Sequence, residues 1–123
     1  MTAVAALAMV NIDCDAPRAL ADFYHQILGW DITHSEDDYA MITEGPVSIG
    51  FGRIDGYTPP RWPDPSSPKQ FHLDFVVADL DKAEAACLDA GAAKPDSQPG
   101  GDSWRVLTDP SGHPFCICAK QED

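Results

Sequence analysis

The feature that most constrains this chain is an internal repeat. Residues Ala8 to Cys14 alternate Val10, Ile12 and Cys14 against Met9, Asn11 and Asp13, the pattern of a half-buried strand. A helical stripe of Leu20, Phe23, Tyr24, Ile27 and Leu28 follows and stops at Gly29, with Asp15 as its expected cap and Pro17 in its first turn. Three short strands are then expected, over Trp30 to His34, Asp38 to Ile42 and Val47 to Arg53, with turns at Ser35 to Asp38 and at Glu44-Gly45-Pro46.

The second half repeats this order. Phe71, Leu73, Phe75 and Val77 alternate with His72, Asp74, Val76 and Ala78, so one strand face is apolar and the other carries an imidazole and a carboxylate. Asp79 and Asp81 offer cap oxygens, Asp81 with Glu84 has capping-box spacing, and Ala83, Ala86, Cys87 and Ala90 recur helically up to Gly91. An ill-defined strand near Ala92 to Lys94, strands over Trp104 to Thr108 and Phe115 to Ala119, and a turn at Asp109-Pro110-Ser111-Gly112 complete the copy. Met9 and His72 lie 63 positions apart, and Gly29 and Gly91 lie 62 apart, so the register survives through the helix.

A repeat this long indicates a duplicated module rather than a solenoid. The expected fold is α+β: two βαβββ modules, about 5–53 and 70–120, sharing one curved mixed sheet with the helices on its convex side. Their polar faces would line a concave ligand cavity. At 123 residues the chain is expected to be a single domain. Five of its eleven prolines fall between Pro59 and Pro68, which marks 54–69 as a stiff connector.

Twenty acidic against eight basic residues give a formal charge of -12, which argues against nucleic acid or an anionic membrane as partner and would attract a cationic one. The plainer alternative is an acidic surface that keeps the protein soluble. The apolar opening MTAVAALAMV has no basic flank and is too short to span a bilayer, so a cytoplasmic location is expected. Cys14, Cys87, Cys116 and Cys118 have no metal-knuckle spacing and are expected to be reduced, Cys14 and Cys87 as small buried apolar groups.

The strand followed by Asp15-x-Pro17 or Asp79-Leu80-Asp81, the helix ending in Leu28-Gly29-Trp30, the closing Asp109-Pro110-Ser111-Gly112-His113-x-Phe115 and the connector Tyr57-Thr58-Pro59-Pro60-Arg61-Trp62-Pro63 resemble the vicinal oxygen chelate superfamily. That superfamily takes in glyoxalase I, bleomycin- and fosfomycin-resistance proteins and extradiol dioxygenases, and the nearest resemblance is to its small glyoxalase-like domains. The resemblance implies a homodimer and a divalent metal (Zn, Ni, Mn or Fe) held by a histidine on a module's first strand and a carboxylate on its last. The histidine position is filled by His72 in the second module and by Met9 in the first; the carboxylate position falls on Cys116 and near Ser48 or Gly50. Two candidate metal ligands remain, His72 and Cys116. Asp74 adds a carboxylate from the same face, a set that favours a soft ion such as Zn over Mg or Mn.

Three roles stand open for His72: a cavity histidine bonded to a neighbour such as Asp74, a metal ligand, or a ligand-binding group or general base with Asp74 setting its tautomer. Asn11 and Asp13 would add polar groups from the first module, unless they pair locally. Tyr57 and Trp62 are expected as a wall or lid from the connector, or as aromatics that merely pack. Cys116 and Cys118 face one way and either pack or line the cavity, and Arg105 would meet an anionic group if it faces inward. The expected function is the binding of a small organic molecule, independently of metal. Two alternatives remain: a metal-dependent lyase, isomerase or dioxygenase using His72, and a resistance-type protein sequestering a cationic antibiotic.

Overall fold

The computed structural model describes residues 2–120. Its elements are β1 (Met9–Cys14), α1 (Pro17–Leu28), β2 (Asp31–Ser35), β3 (Tyr39–Glu44), β4 (Val47–Arg53), β5 (Leu73–Val77), α2 (Leu80–Ala90), β6 (Trp104–Thr108) and β7 (Pro114–Ala119). The α+β class and the repeated module order are as expected. Hydrogen bonding groups the strands into two mixed sheets, ordered β1-β4-β3-β2 and β5-β7-β6. The chain divides into two compact units, Met1–Tyr57 and Thr58–Asp123, and each sheet belongs to one of them.

In the first unit β1 runs parallel to β4, which is antiparallel to β3, and β3 to β2. Only a crossover can join parallel strands, and α1 begins that crossover. The helix starts at Pro17, with Ala16 at the cap position and no side-chain cap bond, so Asp15 does not cap it. The proline ring already holds φ at a helical value and has no N–H to satisfy, which sets the start without a capping oxygen. Gly29 ends the helix at φ 75°, and its N–H donates to the His25 carbonyl at 2.8 Å. Leu20, Ala21, Phe23 and Tyr24 of α1 are buried, as are Ile12 and Cys14 of β1, Ala40 and Ile42 of β3, and Ile49 and Phe51 of β4.

The second unit repeats the parallel pair as β5 and β7, with β6 antiparallel to β7. The strand expected near Ala92 to Lys94 reduces to one bridge, Ala93 to Thr108. Pro95 follows at once and has no N–H to extend the ladder. Asp79 caps α2, accepting from the Lys82 N–H at 3.0 Å, whereas Asp81 and Glu84 form no capping box. Asp81 instead lies in the first turn and meets Arg105 at 2.8 Å. Phe71 precedes β5 and is fully exposed, so it is not part of the strand's apolar face. The unit's core is Trp62, Cys87, Val106, Leu107, Phe115, Cys116 and Ile117, and all four cysteines of the chain are free thiols.

Candidate functional site

Strand alternation and parallel pairing together assemble a site on one face of the second sheet. Asp74 of β5 pairs with Cys116 of β7, and Val106 of β6 pairs with Cys116 from the other side. Residues opposite each other across a ladder share a face, as do residues two apart along a strand. His72, Asp74, Cys116, Cys118, Trp104 and Val106 therefore point together. Lys69, His72, Asp74, Trp104, Cys116 and Cys118 line a pocket of about 290 Å³.

His72 is fixed from three directions. Its Nδ1 lies 2.7 Å from the Gln70 carbonyl, which can only accept, so Nδ1 carries the hydrogen. Its Nε2 lies 3.2 Å from Asp74 Oδ1. Its ring stacks on Trp62, with centroids 4.8 Å apart and planes 22° apart. Trp62 is buried and packs with Val106, Cys116 and Trp104, so this connector residue forms the wall behind the imidazole. Lys69 Nζ lies 5.8 Å from the Trp62 ring centre, within cation–π range.

Cys116 is a thiol here. Burial first, then the Asp74 carboxylate that accepts its S–H, push its pKa up to about 12, against the smaller opposing effect of Lys69. Such a sulfur is not a free nucleophile at neutral pH. Cys118, on the same face, donates weakly to the Phe75 carbonyl at 3.6 Å. A ring nitrogen of His72, a carboxylate oxygen of Asp74 and the sulfur of Cys116 all lie within 4.8 Å of one another.

Arg105 is turned the other way. It pairs with Ile117 on β7, and its guanidinium reaches Asp81 at 2.8 Å and Glu84 at 3.5 Å on α2, so it braces the helix and does not line the pocket. Lys69 and Trp104 went unrecognised in the sequence as pocket residues. Trp104 was marked by its alternation with Arg105, but alternation alone does not say which face a helix covers. Lys69 stands before the strand, where no periodicity applies.

The equivalent place in the first unit is crowded around Gly50. Asn11 pairs with Gly50 as Asp74 pairs with Cys116, which identifies Gly50, not Ser48, as the counterpart of Cys116. A Cβ on Gly50 would stand 2.5 Å from Asn11 Oδ1, 2.6 Å from the Tyr39 hydroxyl and 2.9 Å from Met9 Cε. Met9, Asn11 and Tyr39 take up the room a side chain at position 50 would need, and Tyr39 had no signal in the sequence. Ser48 is engaged with the Thr43 hydroxyl at 2.8 Å, and Thr43 with Thr33 at 2.9 Å. Asp13 is exposed on β1, and Tyr57 closes the first unit half-buried. Gly50→Ala is expected to cost about 1–3 kcal/mol through overpacking. Urea denaturation checks this, and Asn11→Ala in the same background should return part of the loss.

The α+β modules and this face define a class of small two-module proteins, and the comparisons narrow it. The family model described as a glyoxalase-like domain matches residues 9–118. The chain belongs to the glyoxalase-like domain family, within the vicinal oxygen chelate superfamily. It is similar in fold to a glyoxalase/bleomycin resistance protein/dioxygenase family enzyme from Burkholderia phytofirmans, at 23% identity and TM-score 0.70, covering 94% of this chain and 98% of that one. A protein from Agrobacterium tumefaciens solved by solution NMR gives 18% identity and TM-score 0.70, over 97% and 100% of the two chains. The bleomycin-binding protein of Streptomyces verticillus, solved with copper(II)-bleomycin, gives 14% identity and TM-score 0.58, over 98% and 100%. No curated protein matches significantly. No described helix is long and apolar enough to cross a membrane.

Proposed function

We propose that this chain acts as one glyoxalase-like domain that binds a small organic molecule in the pocket of its second unit, independently of metal. The observation that carries this reading is His72 clamped between Trp62, the Gln70 carbonyl and Asp74 on the floor of an open pocket. The His72 imidazole, the Asp74 carboxylate and the Lys69 ammonium supply directional polar contacts beside the Trp104 ring and the sulfurs of Cys116 and Cys118, a few polar groups on a mainly apolar surface as in small-molecule sites. Asp74 is largely exposed and the chain carries -12, which favours a ligand with a cationic group over an anion. The bleomycin-binding neighbour supports ligand capture as a use of this fold.

A thermal-shift panel of cationic glycopeptides, polyamines and aromatic amines tests the reading. A ligand present at about 100 times its Kd should stabilise the native state by about 2.7 kcal/mol. The shift should vanish in His72→Ala and shrink in Asp74→Asn. No shift with any member at about 1 mM would sink the proposal.

The second reading is a metal-dependent enzyme of the superfamily, favoured by the convergence of His72, Asp74 and Cys116. Bound there, a divalent ion would act as a Lewis acid toward substrate oxygens. Hard ions seek all-oxygen or carboxylate-rich sets, and the thiol of Cys116 stands where the superfamily's carboxylate would be. The donors suit zinc better. A cytoplasmic location accords with four reduced cysteines, and a homodimer accords with the superfamily.

A further inference from the structure

We infer that Lys69 and Asp74 act as opposite charges that fit this pocket to an amino-acid-like zwitterion: Lys69 takes the ligand's carboxylate, Asp74 its ammonium, and Trp104 its apolar or aromatic side chain. The inference deepens the small-molecule reading of the pocket and rests on it.

Three observations carry it. The first is a cation with no carboxylate. Arg18, Arg53, Lys94 and Arg105 each meet an acidic side chain, in a chain that holds twenty acidic residues. Lys69 meets none among the described residues, although it lines the same pocket as Asp74. Its Nζ stands 5.8 Å from the centre of the Trp62 ring, a contact that gives its N–H donors no oxygen. An ammonium carries three donors and no acceptor, so an anionic oxygen on a ligand is its complement.

The second is a carboxylate with capacity to spare. Asp74 Oδ1 faces His72 Nε2 at 3.2 Å, and the carboxylate accepts the Cys116 S–H, yet the side chain stays 67% exposed. Two carboxylate oxygens offer about four acceptor sites, which leaves room for an ammonium. Both charges stand close to one sulfur: after burial, Asp74 raises the Cys116 pKa and Lys69 opposes that rise.

The third is size. A pocket of about 290 Å³ is at the small end for ligand cavities, so the groups that meet Lys69 and Asp74 belong to one compact molecule. Trp104 and the sulfurs of Cys116 and Cys118 supply apolar surface for the rest of it.

Selectivity follows from the signs of the charges. A bare amine is drawn to Asp74 but repelled by Lys69, and a bare carboxylate is drawn to Lys69 but repelled by Asp74. A molecule bearing both groups meets neither penalty.

The test is isothermal titration calorimetry with L-phenylalanine, L-phenylalaninamide, which lacks the carboxylate, and N-acetyl-L-phenylalanine, which lacks the ammonium. L-phenylalanine should bind at least about tenfold more tightly than either derivative. Lys69→Gln should bring its advantage over the amide to about one, and Lys69→Arg should restore it. Asp74→Asn should likewise remove its advantage over the N-acetyl compound. Lys82→Gln, which deletes an exposed charge on α2, should keep both ratios. Lys69 is itself exposed, so its substitution spares the core. Equal affinities for the three probes, or a preference for L-phenylalanine that survives Lys69→Gln, would overturn the inference. So would the absence of binding by all three at about 10 mM. In that case a thermal shift with the amines named above leaves the small-molecule reading standing, and no shift removes both.

Discussion

Trp62→Ala is expected to lower the unfolding free energy by about 3–5 kcal/mol and to release His72 in the same step. Trp62 is only 8% exposed although it belongs to an irregular connector, and it packs with Val106, Cys116 and Trp104. Removing the indole leaves a cavity beneath the site, because strands β6 and β7 cannot collapse into it without breaking their ladder. The imidazole then loses its stacking partner and keeps only its two polar contacts. Trp62→Phe keeps an aromatic face and should recover more than half of both effects. Urea denaturation reads the first effect, and the ring-current-shifted His72 proton resonances read the second. If Trp62→Ala unfolds at the wild-type midpoint, or leaves those resonances in place, the connector is not the wall of the site.

How much of this was legible beforehand follows from which residues obey a period. The repeat was readable because alternating strands and a glycine-ended helix recur at nearly constant offset, and the pairs Asn11–Gly50 and Asp74–Cys116 have the corresponding register. The convergence of His72, Asp74 and Cys116 on one face followed from the same alternation. Arg105 was ambiguous because a strand's two faces are equivalent until something covers one of them. Asp81 and Glu84 on α2 decide the matter, and they are distant in sequence. Lys69 and Tyr39 were invisible for a related reason: each matters through a neighbour that only the folded chain supplies. At Asp15 a preference for capping oxygens lost to the ring of Pro17, and at Ala92 to Lys94 a strand pattern lost to Pro95.

Tyr24→Ala is expected to cost about 3–5 kcal/mol, far more than any single change on the helix of the second module. Tyr24 is fully buried, lies flat against Phe51 with centroids 5.4 Å apart and planes 5° apart, and meets the edge of Phe23 at 4.9 Å. The stack on Phe51 fastens α1 to β4, the strand that pairs with β1. The second helix is fastened differently. Cys87 is its one buried residue, and its remaining hold on the sheet includes Asp81–Arg105 at 2.8 Å, Glu84–Arg105 at 3.5 Å and Glu84–Lys94 at 2.9 Å. Partly exposed pairs of this kind contribute about 0–1 kcal/mol each and weaken with salt. Cys87→Ala, which deletes one small buried group, should therefore cost roughly 1 kcal/mol. Hydrogen exchange followed by mass spectrometry separates the two cases: Tyr24→Ala should strip protection from α1 amides, and about 1 M salt should loosen α2 while leaving α1 unchanged. Equal losses from Tyr24→Ala and Cys87→Ala would mean that the two helices are held to their sheets equally by packing. Unequal losses would mean that α1 is held to its sheet by packing and α2 largely by polar pairs, which leaves the core of the second module to its sheet and to Trp62, beneath the half-open face with His72 at its centre.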